Sequence, residues 1–269
     1  MIALEAERPV EYRGDDGLLY CGECDTPKQG RIDSIHDGPI LFRKRCDCER
    51  EEEIELEIER MQMQCIESEK FRFKTFADDD RADRKTGDIL RRYAENWPEM
   101  QRQNIGLLLH GGVGGGKTFF AACLANAIIE DEARKGGGCD RRGPVLMTTV
   151  QNLRDRAQKD FCAKKEHVLS NVREIGLLIL DDFGVERRTE AADELLYDII
   201  NARYDSNKPL IVTTNMTLAD MRYAQDDKMR RIYDRVREMC CQPIPISGES
   251  RRQAIARSKS ESVRQMLGI

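Results

Sequence analysis

Residues 111–118 read GGVGGGKT, a glycine-rich turn that ends in a lysine and a hydroxyl residue. They fit the pattern G-x-x-x-x-G-K-[ST], in which the glycines let the backbone wrap around a phosphate and the lysine contacts its oxygens. The hydroxyl of Thr118 would be a ligand for Mg²⁺. The pattern therefore predicts a nucleoside triphosphate site. Its predicted binding residues are Gly111, Gly112, Val113, Gly114, Gly115, Gly116, Lys117, Thr118 and the adjoining Phe119.

The segments around this turn support the prediction. The turn follows the apolar segment Ile105–Leu109, which has the length of a buried strand, and it precedes a predicted helix, Lys117–Glu132. The positive end of that helix would face the phosphates and add to their binding. The alternative is a glycine-rich turn with a chance lysine, and the strand–turn–helix context argues against it.

Two later segments end in polar residues that suit the same chemistry. The apolar segment Ile175–Leu180 is followed by Asp181 and Asp182, and Leu210–Thr214 is followed by Asn215. Because ligands bind at the carboxyl ends of parallel strands, we expect Asp181 to hold Mg²⁺. We expect Asp182 to polarise the attacking water and Asn215 to orient it. A strand-end cap at Asp182 and a turn at Asn215 are the alternatives.

Four cysteines near the start of the chain have the spacing of a metal site. Cys21 and Cys24 form one close pair, and Cys46 and Cys48 form a second pair 21 residues later. Two such pairs can place four thiolates around one tetrahedral Zn²⁺, and the metal would fold a module too small for a core of its own. His36 could replace one cysteine, and four reduced thiols without a metal are the alternative. A disulfide scaffold is disfavoured because the chain has no secretion signal.

Charge is distributed unevenly along the 269 residues, whose formal net charge is −5. Residues 1–70 carry 10 basic and 19 acidic side chains, whereas residues 228–264 carry 10 basic and 4 acidic ones. The two ends can therefore face different partners. Basic residues beside the cysteine pairs would suit a nucleic acid, but the surrounding acidity favours a protein partner. These basic residues are Arg31, Arg43, Lys44 and Arg45.

The composition excludes several classes of protein. Hydrophobic residues make up 40% of the chain and recur in compact blocks, which argues against a disordered chain. No apolar stretch approaches the roughly 20 residues that cross a bilayer, and the N-terminus lacks a basic segment followed by an apolar one. We therefore expect a cytoplasmic protein that does not contact membranes.

Three zones follow one another along the chain. Residues 1–48 hold the cysteines and form the predicted zinc-binding module, and residues 49–75 form a charged linker with helical spacing of apolar residues over 49–70. Residues 76–269 alternate strands with helices, including a helix over Glu190–Tyr204 capped by Thr189 and another over Val150–Phe161. This alternation predicts an α/β fold with a mostly parallel sheet that helices flank on both faces.

Four segments together resemble the DnaC/DnaI/IstB group of AAA+ ATPases, a branch of the ASCE P-loop NTPases, and most of all the DnaC-like replication proteins of phages and mobile elements. In order they are LLLHGGVGGGKTFFAACLANAII, LLILDDFGVER, PLIVTTN and RRIYDRVREMC. The likeness covers residues 100–255 strongly and the cysteine segment loosely. It implies that Lys117 and Thr118 form Walker A, that Asp181 and Asp182 form Walker B, and that Asn215 is the sensor 1 residue.

The same resemblance assigns arginines near the C-terminus. It implies that Arg235 is an arginine finger that reaches the ATP of a neighbouring subunit, with Arg231 as the second candidate. It also implies that Arg252 contacts nucleotide as a sensor 2 residue, with Arg251, which stands where many loaders have tyrosine, as the second candidate. The chain ends soon after these residues, so the resemblance implies that a full AAA+ lid domain is missing.

The resemblance further implies a function in DNA replication. Members of this group load a replicative DNA helicase onto single-stranded DNA, so we expect ATP hydrolysis, ATP-dependent homo-oligomers and a helicase partner bound by the N-terminal module. An IstB-like helper of a transposase is the nearest alternative. A P-loop kinase for a small molecule fits the site less well, because a downstream arginine finger suits NTP hydrolysis. A zinc-dependent DNA-binding or adaptor protein that uses ATP only as a switch is the non-enzymatic alternative.

Overall fold

Two compact units make up the chain, Met1–Glu59 and Arg60–Ile269. In the parts of the chain that the structure covers, no helix is both long and apolar enough to cross a membrane. The structure is a computed structural model, and it describes residues 10–34, 38–81, 84–136, 142–158, 163–184, 189–247 and 251–267, with the backbone alone at residues 163, 164, 251–255 and 258.

Two small antiparallel hairpins lie in the first unit. Strand β1 (Glu11–Arg13) pairs with β2 (Leu19–Cys21), and β3 (Gln29–Ser34) pairs with β4 (Gly38–Arg43). The sequence pattern predicts none of these strands. They have only three to six residues and are largely exposed, so they lack the alternation of buried and exposed side chains that reveals a longer strand.

Helix α1 (Asp47–Cys65) ends five residues before the end of the predicted helical segment, 49–70. The chain leaves the helix because Ile66 is fully buried and forms a parallel bridge with Met147 at the edge of the sheet of the second unit. The next residue, Glu67, continues this contact, since its N–H donates to the Met147 carbonyl oxygen at 3.2 Å and its carboxylate accepts the hydroxyl of Thr148 at 2.6 Å.

A five-stranded parallel sheet is the frame of the second unit. The strands are β5 (Leu107–His110), β6 (Val145–Thr149), β7 (Leu177–Phe183), β8 (Leu210–Thr214) and β9 (Gln242–Pro245). Their spatial order is β6-β7-β8-β5-β9. The predicted parallel sheet is confirmed, with ends that differ by a few residues. Strand β9 is not predicted, because its two prolines read as a break, and an edge strand tolerates proline where a central one does not.

Helices flank this sheet on both faces. They are α2 (Lys85–Glu95), α3 (Trp97–Arg102), α4 (Lys117–Arg134), α5 (Val150–Gln158), α6 (Ala163–Glu174), α7 (Glu190–Asp205), α8 (Leu218–Arg222), α9 (Asp227–Met239) and α10 (Arg251–Leu267). Helix α4 packs against strands β5 to β8 and is covered by α2. Apolar residues of α5, α6, α7 and α9 share one core cluster with alternate strand residues such as Leu108, Leu178 and Val212.

Helix α7 begins as predicted, because the hydroxyl of its N-cap residue Thr189 accepts the N–H of Ala192 at 3.2 Å. The predicted helix over 150–161 is present as α5 up to Gln158, and its predicted end lies outside the described residues. The structure describes a further helix, α6, from Ala163.

Candidate nucleotide site and cysteine cluster

The glycine-rich turn joins β5 to α4, and two of its glycines cannot be replaced by larger residues. Gly111 has φ 148°, and a Cβ atom there would lie 2.2 Å from the carbonyl oxygen of Ile246. Gly116 is the N-cap of α4 and has φ 100°, in the left-handed region that favours glycine. The backbone therefore needs glycine both to pass close to Ile246 and to turn into the helix.

Lys117 lies inside this turn and is only 5% exposed. Its ammonium group donates to the carbonyl oxygens of Gly111 at 2.9 Å and Gly112 at 2.8 Å. A buried cation is costly unless its donors are satisfied, and here the loop carbonyls satisfy them. The positive charge stands at the first residue of α4, where it adds to the helix dipole, so the turn is built to bind an anion.

Asp181 faces this turn from β7. It is 8% exposed, and its carboxylate accepts the Thr213 hydroxyl at 2.6 Å and a hydrogen bond from the Thr118 side chain. Burial raises the pKa of Asp181, and the two hydroxyl donors lower it. The structure thus brings a carboxylate and the hydroxyl of the glycine-rich motif together. Such oxygens are the ligands that Mg²⁺ prefers, so the donor set fits that ion.

Thr213 hydrogen-bonds to both aspartates, and it is not among the site residues that the sequence predicts. It is fully buried in β8, where its hydroxyl donates to Asp181 and accepts the backbone N–H of Asp182 at 2.9 Å. The only feature of the sequence that could have indicated Thr213 is its position as a hydroxyl residue near the end of an otherwise apolar strand. A hydroxyl that both donates and accepts in this way fixes the carboxylate and the backbone beside it.

Asp182 lies within β7 rather than after it, because the strand extends to Phe183. The pairing of β7 with β8 is irregular between Leu180 and Phe183, and Asp182 has φ 53° at this bulge. Aspartate tolerates the left-handed conformation better than most residues. The bulge turns the side chain of Asp182 to the exposed surface while Asp181 stays buried.

The ends of three neighbouring strands meet at the site. In the parallel register His110 of β5 and Phe183 of β7 both pair with Thr214 of β8. Asn215 follows Thr214 directly and is exposed at the same edge. The structure therefore brings the glycine-rich turn, the two aspartates and Asn215 to one edge of the sheet.

Arg235 lies on α9 and packs against α7. Its guanidinium hydrogen-bonds to the side-chain oxygen of Asn201 and lies over the rings of Tyr197 and Tyr204, at 5.6 and 5.3 Å from their centroids. Arg231, the other candidate on α9, is exposed. Arg251 and Arg252 belong to the first turn of α10, and their side chains lie outside the described residues, as does His36.

The four cysteines of the first unit converge as their spacing predicts. Their sulfur atoms all lie within 4.8 Å of one another, with Cys48 Sγ 3.6 Å from Cys21 Sγ and 3.2 Å from Cys46 Sγ. Four thiolates at about 2.3 Å from a tetrahedral Zn²⁺ are about 3.8 Å apart, so the cluster is near the size of such a site. Four sulfur donors in this arrangement suit Zn²⁺ or iron.

Relatives of this chain include proteins of replication and of insertion sequences. A Sinorhizobium fredii protein named as an insertion sequence ATP-binding protein is 30% identical over 118 residues, 42% of this chain and 35% of that protein. The replicative helicase loader DnaI of Bacillus subtilis is 26% identical over 157 residues, 55% of this chain and 47% of that protein. The chain thus spans about a third to a half of the length of these two relatives.

Solved structures and a family model show similarity to the same kinds of protein. The crystal structure of DnaI has a TM-score of 0.54 at 24% identity and covers 71% of this chain and 99% of its own. The DnaC helicase loader has a TM-score of 0.53 at 23% identity and covers 67% of this chain and 100% of its own. These likenesses show a P-loop AAA+ fold. The model of the IstB-like ATP binding proteins matches residues 44–261. The chain therefore belongs to the IstB-like family of ATP binding proteins.

Proposed function

We propose that this protein hydrolyses ATP and that a second copy of the chain completes the site. The observation that carries the proposal is the buried cluster in which Lys117 lies inside the glycine loop and Asp181 lies beside Thr118. A cation for the phosphates and two oxygen ligands for Mg²⁺ are the parts that phosphoryl transfer needs.

Each residue has a separate task in the proposed reaction. Lys117 and the N–H groups of the glycine loop bind the β- and γ-phosphates, and Thr118 with Asp181 would hold Mg²⁺, which neutralises phosphate charge when bound. The exposed carboxylate of Asp182 polarises the attacking water, and Asn215 orients it. Hydrolysis then depends on positioning and on stabilisation of the transition-state charge more than on covalent chemistry.

Arg235 supplies the remaining positive charge from a neighbouring copy. Support comes from the resemblance of the segment RRIYDRVREMC to the family; in the structure the described contacts of the Arg235 guanidinium are with three side chains of α7 in its own chain. An arginine that reaches the γ-phosphate from outside can raise turnover about 10³–10⁵-fold. Arg252 is proposed to contact the nucleotide from α10. Hydrolysis would then require homo-oligomers, which ATP promotes.

We further propose that the ATP cycle loads a replicative DNA helicase onto single-stranded DNA. The match to the helicase loader DnaI, which is longer than the match to the Sinorhizobium fredii protein, supports this use. In this proposal the cysteine cluster (Cys21, Cys24, Cys46 and Cys48) binds Zn²⁺, and the first unit that it organises binds the helicase. The acidity of this end of the chain suits a protein partner better than DNA.

Assistance to a transposase is the second candidate function. It is favoured by the family model and by the insertion sequence relatives, one of which, from Mycobacterium tuberculosis, is 35% identical over 109 residues. A binding assay separates the two functions. The full chain with ATP is mixed with the replicative helicase or with the transposase of the same source, and DNA-bound complexes are counted. ATP-dependent delivery of the helicase to single-stranded DNA supports loading, and delivery of the transposase alone contradicts it.

A further inference from the structure

Arg81 lies next to the glycine loop, although it is outside every motif of the nucleotide site. Its Nη1 atom is 3.7 Å from the position that a Cβ atom would have on Gly116. Gly116 is the residue from which α4 begins, so this nitrogen stands beside the N–H groups of the first helical turn. A guanidinium at this place adds a second positive charge to the one that Lys117 supplies.

Two neighbours fix the direction of this guanidinium. Its Nε and Nη2 atoms donate to the two carboxylate oxygens of Asp79 at 2.8 and 3.1 Å, and its plane lies over the Phe120 ring, 3.7 Å from the centroid. The side chain of Asp79 is only 4% exposed and that of Arg81 is 18% exposed. A bidentate pair stacked on a ring loses little freedom when it binds a ligand, which is the condition for a pre-organised site.

We propose that Arg81 is a binding residue of the nucleotide site and donates from Nη1 to a phosphate oxygen of the nucleotide held by its own chain. The inference rests on the proposed nucleotide site and adds a contact to it. Asp79 acts as the positioning residue, because it occupies the other edge of the guanidinium and leaves Nη1 directed at the loop. Planar guanidinium groups suit phosphate because they donate in a fixed direction.

Arg91 provides a matched control within the same unit. It too is an arginine over a phenylalanine ring, 5.5 Å from the centroid of Phe76, and it too pairs with an aspartate, Asp88, at 3.9 Å. Its side chain is 48% exposed, and no atom of it is near the glycines of the loop among the described contacts. Loss of Arg91 therefore removes the same type of side chain without removing the proposed phosphate contact.

The experiment measures binding of ATP, ADP and inorganic pyrophosphate to the full-length wild type, Arg81→Gln, Arg81→Lys and Arg91→Gln proteins. Pyrophosphate isolates the phosphate contact, because it has neither base nor ribose. We expect Arg81→Gln to weaken all three ligands about tenfold to a hundredfold, the loss that removal of a charge-assisted hydrogen bond brings, and Arg91→Gln to bind like wild type.

Arg81→Lys keeps the proposal testable if the glutamine variant fails to fold, because its ammonium still pairs with the buried Asp79. One ammonium cannot serve both Asp79 and a phosphate with the guanidinium's geometry, so this variant should also bind pyrophosphate more weakly than Arg91→Gln. Equal pyrophosphate affinity in Arg81→Lys and Arg91→Gln would overturn the proposal while leaving the nucleotide site intact. A wild-type chain that binds none of the three ligands would overturn the nucleotide site itself.

Discussion

Thr213→Val tests the arrangement of the two aspartates. Thr213 is fully buried, and its hydroxyl donates to the Asp181 carboxylate at 2.6 Å while it accepts the Asp182 N–H at 2.9 Å. Valine has nearly the same shape and removes only the hydroxyl. The change therefore leaves one carboxylate oxygen without this donor and one backbone N–H without its acceptor.

The expected loss of stability follows from these two hydrogen bonds. A buried polar group left without its partner costs about 1–3 kcal/mol, so the two together should lower the free energy of unfolding by about 2–6 kcal/mol. In a domain of this size each kilocalorie shifts the melting temperature by about 2–4 °C, which gives a fall of roughly 4–24 °C. Domains are stable by about 5–15 kcal/mol, so most of this range leaves the protein folded.

Turnover should change in its pH dependence as well as in its rate. Burial raises the pKa of Asp181, and the hydrogen bond from the Thr213 hydroxyl lowers it. Without the hydroxyl the pKa of Asp181 rises further, and the protonated acid cannot hold Mg²⁺. As pH falls, the Thr213→Val protein should thus lose ATPase activity at a higher pH than the wild type. Thr213→Ser, which keeps a hydroxyl, should restore the wild-type profile.

Thr214→Val is the matched control for this experiment. Thr214 is equally buried, and its hydroxyl also makes two hydrogen bonds, to the Phe183 carbonyl oxygen at 2.7 Å and from the Met216 N–H at 3.1 Å, without touching either aspartate. The assay measures melting temperature and Mg²⁺-dependent ATPase rate from pH 5 to 9. Both variants should melt earlier. If their pH profiles coincide, the reasoning about Asp181 is refuted.

Three further changes test the remaining parts of the account. Lys117→Ala should abolish ATP binding and leave the circular dichroism spectrum unchanged, and an unaltered ATP affinity would contradict the phosphate-loop assignment. Metal analysis should find about one Zn²⁺ per chain. Cys21→Ser should unfold the first unit alone, which limited proteolysis would detect as cleavage confined to that unit. A folded, metal-free first unit would argue against the zinc site. Mixtures of Arg235→Ala and Asp182→Asn chains should regain part of the ATPase rate lost by each, and no recovery at any ratio counts against Arg235 acting in trans.

The nucleotide unit was largely predictable because its signals are local. The glycine loop needs glycine at specified positions, and the apolar residues of strand β7 are followed directly by Asp181. Each of these two features can therefore be recognised in a short stretch of consecutive residues. Parallel strands also place their carboxyl ends at one edge, which is why Asn215 was predicted to lie near the aspartates. The extension of β7 to Phe183 was not predictable, because the bulge depends on pairing with β8.

The contacts that the sequence left unpredicted join residues far apart in the chain. Thr213 meets Asp181 across two strands 32 residues apart, and Glu67 meets Thr148 across 81 residues. No periodicity within one segment carries such information. The position of Arg81 beside Gly116 is of the same kind, since it depends on how the segment before α2 packs against α4.

In the proposed mechanism two copies of the chain together form one hydrolytic site, and the dependence of turnover on protein concentration tests this most directly. The ATPase rate per chain is measured from low nanomolar to micromolar protein at saturating ATP and Mg²⁺. We predict that the rate per chain rises steeply with concentration and reaches a plateau where chains associate. A rate per chain that stays constant down to concentrations at which the protein is monomeric would contradict a site shared by two copies.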